Sequence, residues 1–449
     1  MKVILISANS VTYPYPVYPL GLDYISHAIS SDHQVIITDV NEAGDYASLE
    51  KIIKDFSPDL FGLSIRNIDN TDTTDPRGFI GQYQQLIENI RMHSKAPVVL
   101  GGSGFSIFPG EIMKALKADF GIIGEGERLA LLLDALEKQK DLSDIPGLVI
   151  RDSEKSIPPP LPSPFSIYFD PNSSHLKFYL KKGGMLNLQT KRGCHFKCIY
   201  CTYPHIEGRV LRLFPPAEIA ETAQQLQNAG AKYLFITDSA FNADHQHSIE
   251  VARAFQKARI SVPWGAFFKP TNPPEDYYKI MADAGLTHVE FGTESLSDQV
   301  LTAYKKPFGT HQVLQAHQAA RDAGLYVAHY FLMGGPGECS ESVDETLYNI
   351  DKLSQSVLFF FCGMRIYPHT TLYDIALKEG QISLSQNLLE PVFYQSRSIH
   401  TEEIIRRVEE KTKGRPNFII GSGGEEMVQI MSKMYERGYS GPLWEFLSA

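Results

Sequence analysis

Between residues 1 and about 140 the chain repeats one rhythm five times: a short apolar run, a loop, then an amphipathic stretch. The runs are KVILIS, HQVIITDV, DLFGLSI, APVVLGG and DFGIIGEG, with stretches such as LEKIIKDF and FIGQYQQLIENIRM between them. Strands apolar along their whole length are buried on both faces, and a doubly wound parallel sheet with interleaved helices buries all of them. Five units predict a flavodoxin-like strand order, with ligands bound at the carboxyl ends of the strands. From 185 to 384 the rhythm resumes in six units, MLNLQT, KYLFITDS, VPWGAFF, HVEFGTES, YVAHYFLMGG and VLFFFCGMRIY. These predict a partial (β/α)6 barrel of the TIM type, whose chemistry again sits at the carboxyl ends.

Two further regions complete an α/β chain. Residues 141–184 contain SIPPPLPSPFSIYFDP, and such proline density cannot continue a helix or central strand. Ile157, Leu161, Phe165, Ile167 and Phe169 favour a connector packed across the two domains; a flexible linker is the alternative. Residues 385–449 read as a solvated helix (TEEIIRRVEEKTKG), a strand, turn and helix (NFIIGSGGEEMVQIMSKMYERG), and a tail. The tail is expected to dock Trp444 and Phe446 as a substrate-side cap over the barrel mouth. The net charge of −10 argues against a nucleic-acid partner. No run approaches the ~20 apolar residues of a spanning helix, and MKVILISANS reads as a first strand rather than a signal peptide. A cytoplasmic enzyme is the expectation.

KRGCHFKCIYCTY holds three of the chain's five cysteines, Cys194, Cys198 and Cys201, in a CxxxCxxC spacing directly after a strand-like run. A [4Fe-4S] cluster held by three thiolates keeps one iron free of protein ligands. That iron can chelate the amino and carboxylate groups of a small molecule. A zinc site completed by His195 or His205 is the competing reading. Zinc modules, however, bring their ligands in two pairs, and here one triplet opens a long α/β region. Cys339 and Cys362 read as small hydrophobes.

The triplet, with Tyr200 before its last cysteine, resembles the cluster loop of the radical S-adenosylmethionine (SAM) superfamily. The strand-end loops of the first third, SANSVTYPYPVYPLGLDY, SIRNIDNTDTTDP, GGSGFSIFPGE and GEGERL, resemble those of the cobalamin-binding domain that precedes many radical SAM modules. GRVLRLFPPAEIAE, ITDSAFN, FGTESLS, GGPGE and YPHTTLYDIALKEG resemble later landmarks of cobalamin-dependent radical SAM enzymes, methyltransferases among them. The resemblance implies cluster ligation by Cys194, Cys198 and Cys201, with Tyr200 covering the adenine. It places Asp238 and Ser239 at the methionyl amino group, and Glu294 and Ser295 at the ribose or methionyl end, with helix capping as the alternative for all four. It puts Gly334, Gly335 and Pro336 in a turn near the adenosine, with a purely conformational role as the alternative. Ser7, Ser64, Asn67, Gly101, Gly102, Ser103, Gly124, Glu125, Gly126 and Glu127 are the expected cobalamin contacts. The loop after the first strand has no histidine where a DxHxxG signature would supply one, so cobalamin is expected without a protein histidine on cobalt.

The activity so implied is methyl transfer to an unactivated carbon or other poorly nucleophilic atom of a small-molecule or lipid-like substrate. A 5′-deoxyadenosyl radical would act on the substrate, and a reducing partner such as flavodoxin or ferredoxin would supply electrons. Rearrangement, cyclisation or 3-amino-3-carboxypropyl transfer over a scaffold-only first domain are the alternatives, together with a non-catalytic iron–sulfur or cobalamin sensor.

Overall fold

The computed structural model describes residues 1–12, 15–151, 158–161, 168–421 and 423–447. The first sheet contains β1 (Lys2–Ser7), β2 (Gln34–Asp39), β3 (Leu60–Ser64), β4 (Val98–Gly101), β5 (Phe120–Ile122) and β6 (Leu148–Ile150). Their order is β2-β1-β3-β4-β5-β6, parallel except where β6 runs against β5. The five expected strands take the expected order, and β6 is an addition. It lies in the stretch assigned to the connector, so the sheet continues past residue 140. Helix Ile80–His93 shows why the layers form: Tyr83, Leu86, Ile87 and Ile90 recur at helical spacing and are buried on one face. Helix Tyr46–Phe56 starts where the Asp45 carboxylate accepts a hydrogen bond from the Ser48 amide at 2.9 Å.

The second sheet has β7 (Met185–Leu188), β8 (Tyr233–Ile236), β9 (Trp264–Phe268), β10 (Leu286–Glu294), β11 (Tyr326–Met333), β12 (Val357–Cys362) and β13 (Phe418–Ile420). All are parallel, in the order β13-β12-β11-β10-β9-β8-β7. The six expected strands are present, and a seventh comes from the C-terminal extension, which thereby becomes part of the barrel wall.

The tail closes the floor of this open barrel and not its mouth. Trp444 packs with Ala328 and Val357 and lies edge-on to His288, 5.0 Å away, near the amino ends of β10 to β12. The Gly441 amide donates to the Gly183 carbonyl just before β7 (3.1 Å). Tail residues thus span the gap between the first strand and the last. Trp444 is buried as expected, whereas Phe446 is exposed.

The two sheets face each other through their carboxyl ends. Ile199 of the cysteine loop, with Tyr304, Met364 and Ile366, shares one apolar core with Phe105, Ile107 and Phe108 of the first domain. After β3, Asp69 accepts from Arg365 at 2.9 Å, and Thr73 bonds the Cys362 carbonyl. After β1, the Tyr18 amide donates to Asn187 on β7 (2.8 Å). The described connector residues pack: Phe169 joins the barrel-side core, Tyr179 donates to Asp39 at 2.8 Å, and the Leu161 amide donates to Glu125. Ile157, Phe165 and Ile167 lie outside the described residues.

Candidate active site

The cysteine loop leaves β7 through a two-residue antiparallel ladder, Lys191–Arg192 against Arg212–Leu213. At Gly193 (φ +90°) a side chain would collide with the Val210 carbonyl, so glycine is required immediately before the first cysteine. The Cys194 amide donates to the Gly208 carbonyl at 3.0 Å. All three cysteines are free thiols. Among the described residues no three His, Cys, Asp or Glu side chains converge on a single-ion site. A four-iron cube spreads its ligands wider than one zinc does, so the triplet fits the cluster better.

Two ammonium groups point at one of these sulfurs. Lys269, at the end of β9, places Nζ 3.5 Å from Cys198 Sγ and 3.6 Å from the centroid of the Phe196 ring. Lys306 places Nζ 3.8 Å from the same sulfur, 2.7 Å from Glu294 Oε1 and 3.1 Å from the Tyr200 hydroxyl. That hydroxyl in turn donates to Glu294 at 2.6 Å. Burial disfavours the Lys306 ammonium, but Glu294 and the cysteines outweigh it and hold its pKa above the usual lysine value. For Lys269, burial and the Lys306 charge push the pKa down. Burial raises the Cys201 thiol to about 12, so iron would displace a proton there. Glu294 sits at φ +65°, where β10 shifts register against β11, a conformation costing about 1–3 kcal/mol.

The remaining expected residues divide. Tyr200 and Glu294 join the cysteine loop as described, and Ser239 approaches it with Oγ 3.5 Å from the Gly193 carbonyl. Asp238 instead accepts from the Thr190 amide (2.9 Å) and hydroxyl (2.5 Å), and lies 3.7 Å from the buried Lys191 ammonium. Its charge is already offset inside the protein. Ser295 is buried against Thr346 (3.0 Å) and accepts from the Ser297 amide, the role of a strand-end cap. Gly334 and Gly335 donate to Glu338 and Tyr304 in the turn containing Pro336. That turn packs behind Tyr304, whose ring lies edge-on to Tyr200. Neither lysine was anticipated, although each follows the carboxyl end of an apolar element, in FFKP and YKKPF.

In the first domain Ser7, Ser64, Gly101 and Gly102 lie at the carboxyl ends of β1, β3 and β4, Asn67 and Ser103 just beyond. Gly102 (φ +98°) is required by the Ile65 backbone, which a side chain would strike, and Ser103 Oγ donates to the Arg66 carbonyl. The acidic loop turns elsewhere. Gly124 takes a hydrogen bond from its amide to Ser106 Oγ, and Gly126 packs on Ile25. Glu125 accepts from Arg192 (3.0 Å) and Arg212 (2.6 Å), and Glu127 from Arg192 (2.5 Å). These carboxylates clamp the base of the cysteine loop. Arg66, just beyond β3, is exposed, and Tyr203, just beyond the cysteines, is 39% exposed. The helix Ser103–Ile107 touches Tyr203–Ile206 on the opposite side. The small residues and polar loop ends after β1, β3 and β4 are the ones that could meet a broad flat cofactor such as a corrin.

Fold and site together define a two-domain enzyme in which a nucleotide-fold domain covers a radical barrel. Comparison with known proteins agrees. Residues 188–348 match the radical SAM superfamily and residues 6–133 the B12 binding domain. The chain is 27% identical over 369 residues to an uncharacterized methyltransferase of Pyrococcus horikoshii (80% of this chain, 78% of the relative). It is 24% identical over 443 residues to the tryptophan 2-C-methyltransferase of Streptomyces laurentii (82% and 73%). The solved radical SAM methyltransferase TsrM of Kitasatospora setae, with cobalamin and a [4Fe-4S] cluster bound, superposes with a TM-score of 0.88 at 21% identity, covering 100% of this chain and 97% of that one. Radical SAM and B12 binding domains are thus both present in this chain, which is similar over most of its length to radical SAM methyltransferases. No helix among the described residues is long and apolar enough to cross a membrane.

Proposed function

We propose that this chain methylates an unactivated carbon, or another poorly nucleophilic atom, of a small organic substrate held in the barrel. The observation that carries the reading is the face-to-face arrangement of the two sheets' carboxyl ends, with the cysteine loop of β7 at the seam. In this reading Cys194, Cys198 and Cys201 hold the cluster. Tyr200, Ser239 and Glu294 border SAM, and Arg66, Asn67, Gly101 and Ser103 border cobalamin. Bound together, cluster, SAM and cobalamin would supply radical and methyl-transfer chemistry at this seam.

The chain's own part is placement and exclusion of water. Lys306, fixed by Glu294, holds Tyr200 against the cluster loop, while Lys269 leans on Phe196 and Cys198. The Glu125 clamp fixes the loop to the first domain, and the tail seals the floor. The β1 loop holds no histidine, so it would offer cobalt no imidazole. Electrons come from a small reducing partner of the flavodoxin or ferredoxin kind.

Relatives named for methylating tryptophan and a cytidylyl-phosphonate support a small-molecule substrate. The test is anaerobic reconstitution with iron and cobalamin, followed by incubation with deuteromethyl-SAM and candidate substrates. Near-stoichiometric cobalamin, about four irons and a deuterated product are expected. Four irons without cobalamin would refute the methyl-transfer reading and favour rearrangement or aminocarboxypropyl transfer.

A further inference from the structure

The barrel strands alternate between two environments. Outward residues Ala266, Phe268, Phe291, Phe331 and Phe360 are covered by helices and fully buried. Inward residues of the same strands stay at least partly accessible: Phe267, Gly292, Tyr330, Leu332, Phe359 and Phe361. Phe267 is 37% exposed although it stands in the middle of the sheet, so the lumen beside it is open.

That lumen is lined by aromatic rings. Tyr330 stacks on Phe359 with centroids 4.7 Å apart and planes 9° from parallel, and Phe361 lies 6.4 Å away at 16°. Phe267 meets Tyr330 edge-on, 5.9 Å away. Between β9 and β11 the wall position is Gly292, where a side chain would meet only Glu294 Oε1, at 3.3 Å. The space over Gly292 is therefore open and bordered by these rings, forming an aromatic slot. The nearest carboxylates are committed: Glu290 to Tyr330 (2.9 Å) and Trp444 (3.1 Å) below, Glu294 to Lys306 and Tyr200 above. The bond to Glu290 also fixes the Tyr330 ring in place.

We infer that this slot is the substrate site and that the group it takes is an uncharged planar aromatic or conjugated ring. Offset-stacked and edge-to-face contacts reward a flat π-system beyond the area it buries, whereas a flexible chain gains area alone. The inference rests on the methyl-transfer reading for what happens next, but its test needs no turnover.

The test measures binding of indole and of decanoate to the reconstituted protein by equilibrium dialysis, with wild type, Phe267→Ala, Phe267→Leu and Tyr330→Phe. Indole should bind and decanoate should not. Phe267→Ala should weaken indole about tenfold, an edge contact plus lost area, and Phe267→Leu, which keeps apolar bulk, should weaken it nearly as much. Tyr330→Phe keeps the ring and frees it from Glu290, with a smaller loss of a few-fold. Unchanged iron and cobalamin content shows that each variant is folded. Preferential decanoate binding would overturn the inference in favour of a lipid-like substrate. Indole binding indifferent to both Phe267 variants, or no binding of either probe, would also overturn it. Failure of methyl transfer with indole binding intact would count against the proposed reaction and not against the slot.

Discussion

Replacing Glu125 probes the joint between the domains. Its carboxylate accepts from Arg192 at 3.0 Å, from Arg212 at 2.6 Å and from the Leu161 amide, all in a largely buried setting. Removing one member of a buried ion pair typically costs about 3–5 kcal/mol, because the other charge is left uncompensated. Here Arg192 keeps Glu127, and Arg212 keeps the carbonyls of Leu161 and Glu207. Glu125→Ala should therefore cost about 3 kcal/mol, the low end of that range. Glu125→Gln, which retains an acceptor, should cost about half as much. Burial opposes ionisation of Glu125, but the Leu161 amide and the two arginines outweigh it and hold the pKa below the usual carboxylate value. A depressed pKa means that this contribution is complete above the unfolded value, about 4.3, and is lost as pH falls through the folded value. Wild type and Glu125→Gln should thus converge on acidification. Because the domains need not unfold together, hydrogen exchange at the Lys191–Arg192 ladder, followed against urea and pH, is the suitable assay. A loss below about 0.5 kcal/mol for Glu125→Ala, or a gap from Glu125→Gln that persists in acid, would refute the clamp.

Two other perturbations have definite signs. Lys306→Met removes an ammonium and an N–H donor from Cys198, so a cluster held there should become harder to reduce, by about 59 mV for each tenfold loss in relative stability of the reduced form; a redox titration followed by electron paramagnetic resonance measures the shift, and an unchanged potential would sever Lys306 from the cluster. Burial raises the Glu290 carboxyl to about 7. A raised carboxyl pKa stabilises the fold most below the unfolded value and less as pH climbs to 7, a change on the order of 3 kcal/mol. Hydrogen exchange in 439–447 should accelerate over that interval in wild type and lose this pH dependence in Glu290→Gln.

The strands were legible because each is a short apolar run ending in polar or glycine-rich residues, and helices such as Ile80–His93 carry their buried face in their spacing. The cysteine triplet was legible because cluster ligands lie close together in the chain. The places of the two added strands were harder to see, although NFII itself reads as a strand. Leu148–Ile150 is three residues inside proline-rich surroundings, and Phe418–Ile420 acquires its role only by pairing with β12, about sixty residues earlier in the chain. The tail's position was misjudged for a similar reason: a buried tryptophan announces docking, but not at which end of a barrel. Glu125 and Glu127 belong to a ligand-loop motif and yet face arginines 65 to 87 residues away.

Those distant partners share a logic. Lys306 reaches Cys198 across 108 positions, Arg365 reaches Asp69 across 296, and Trp444 reaches Glu290 across 154. Each pair joins elements that a local motif cannot name, and each is buried or part-buried, so changing one partner strands a charge or a polar group on the other. The same bonds that orient the cysteine loop also fix the first domain over the barrel. Loading of one cofactor site should consequently alter order at the other through the Glu125–Arg192 clamp, which touches loops of both. In a one-piece apolar core containing Ile199 and Phe105, the two domains are halves of a single reaction vessel, and the ring-lined slot over Gly292 lies in the half that faces the seam.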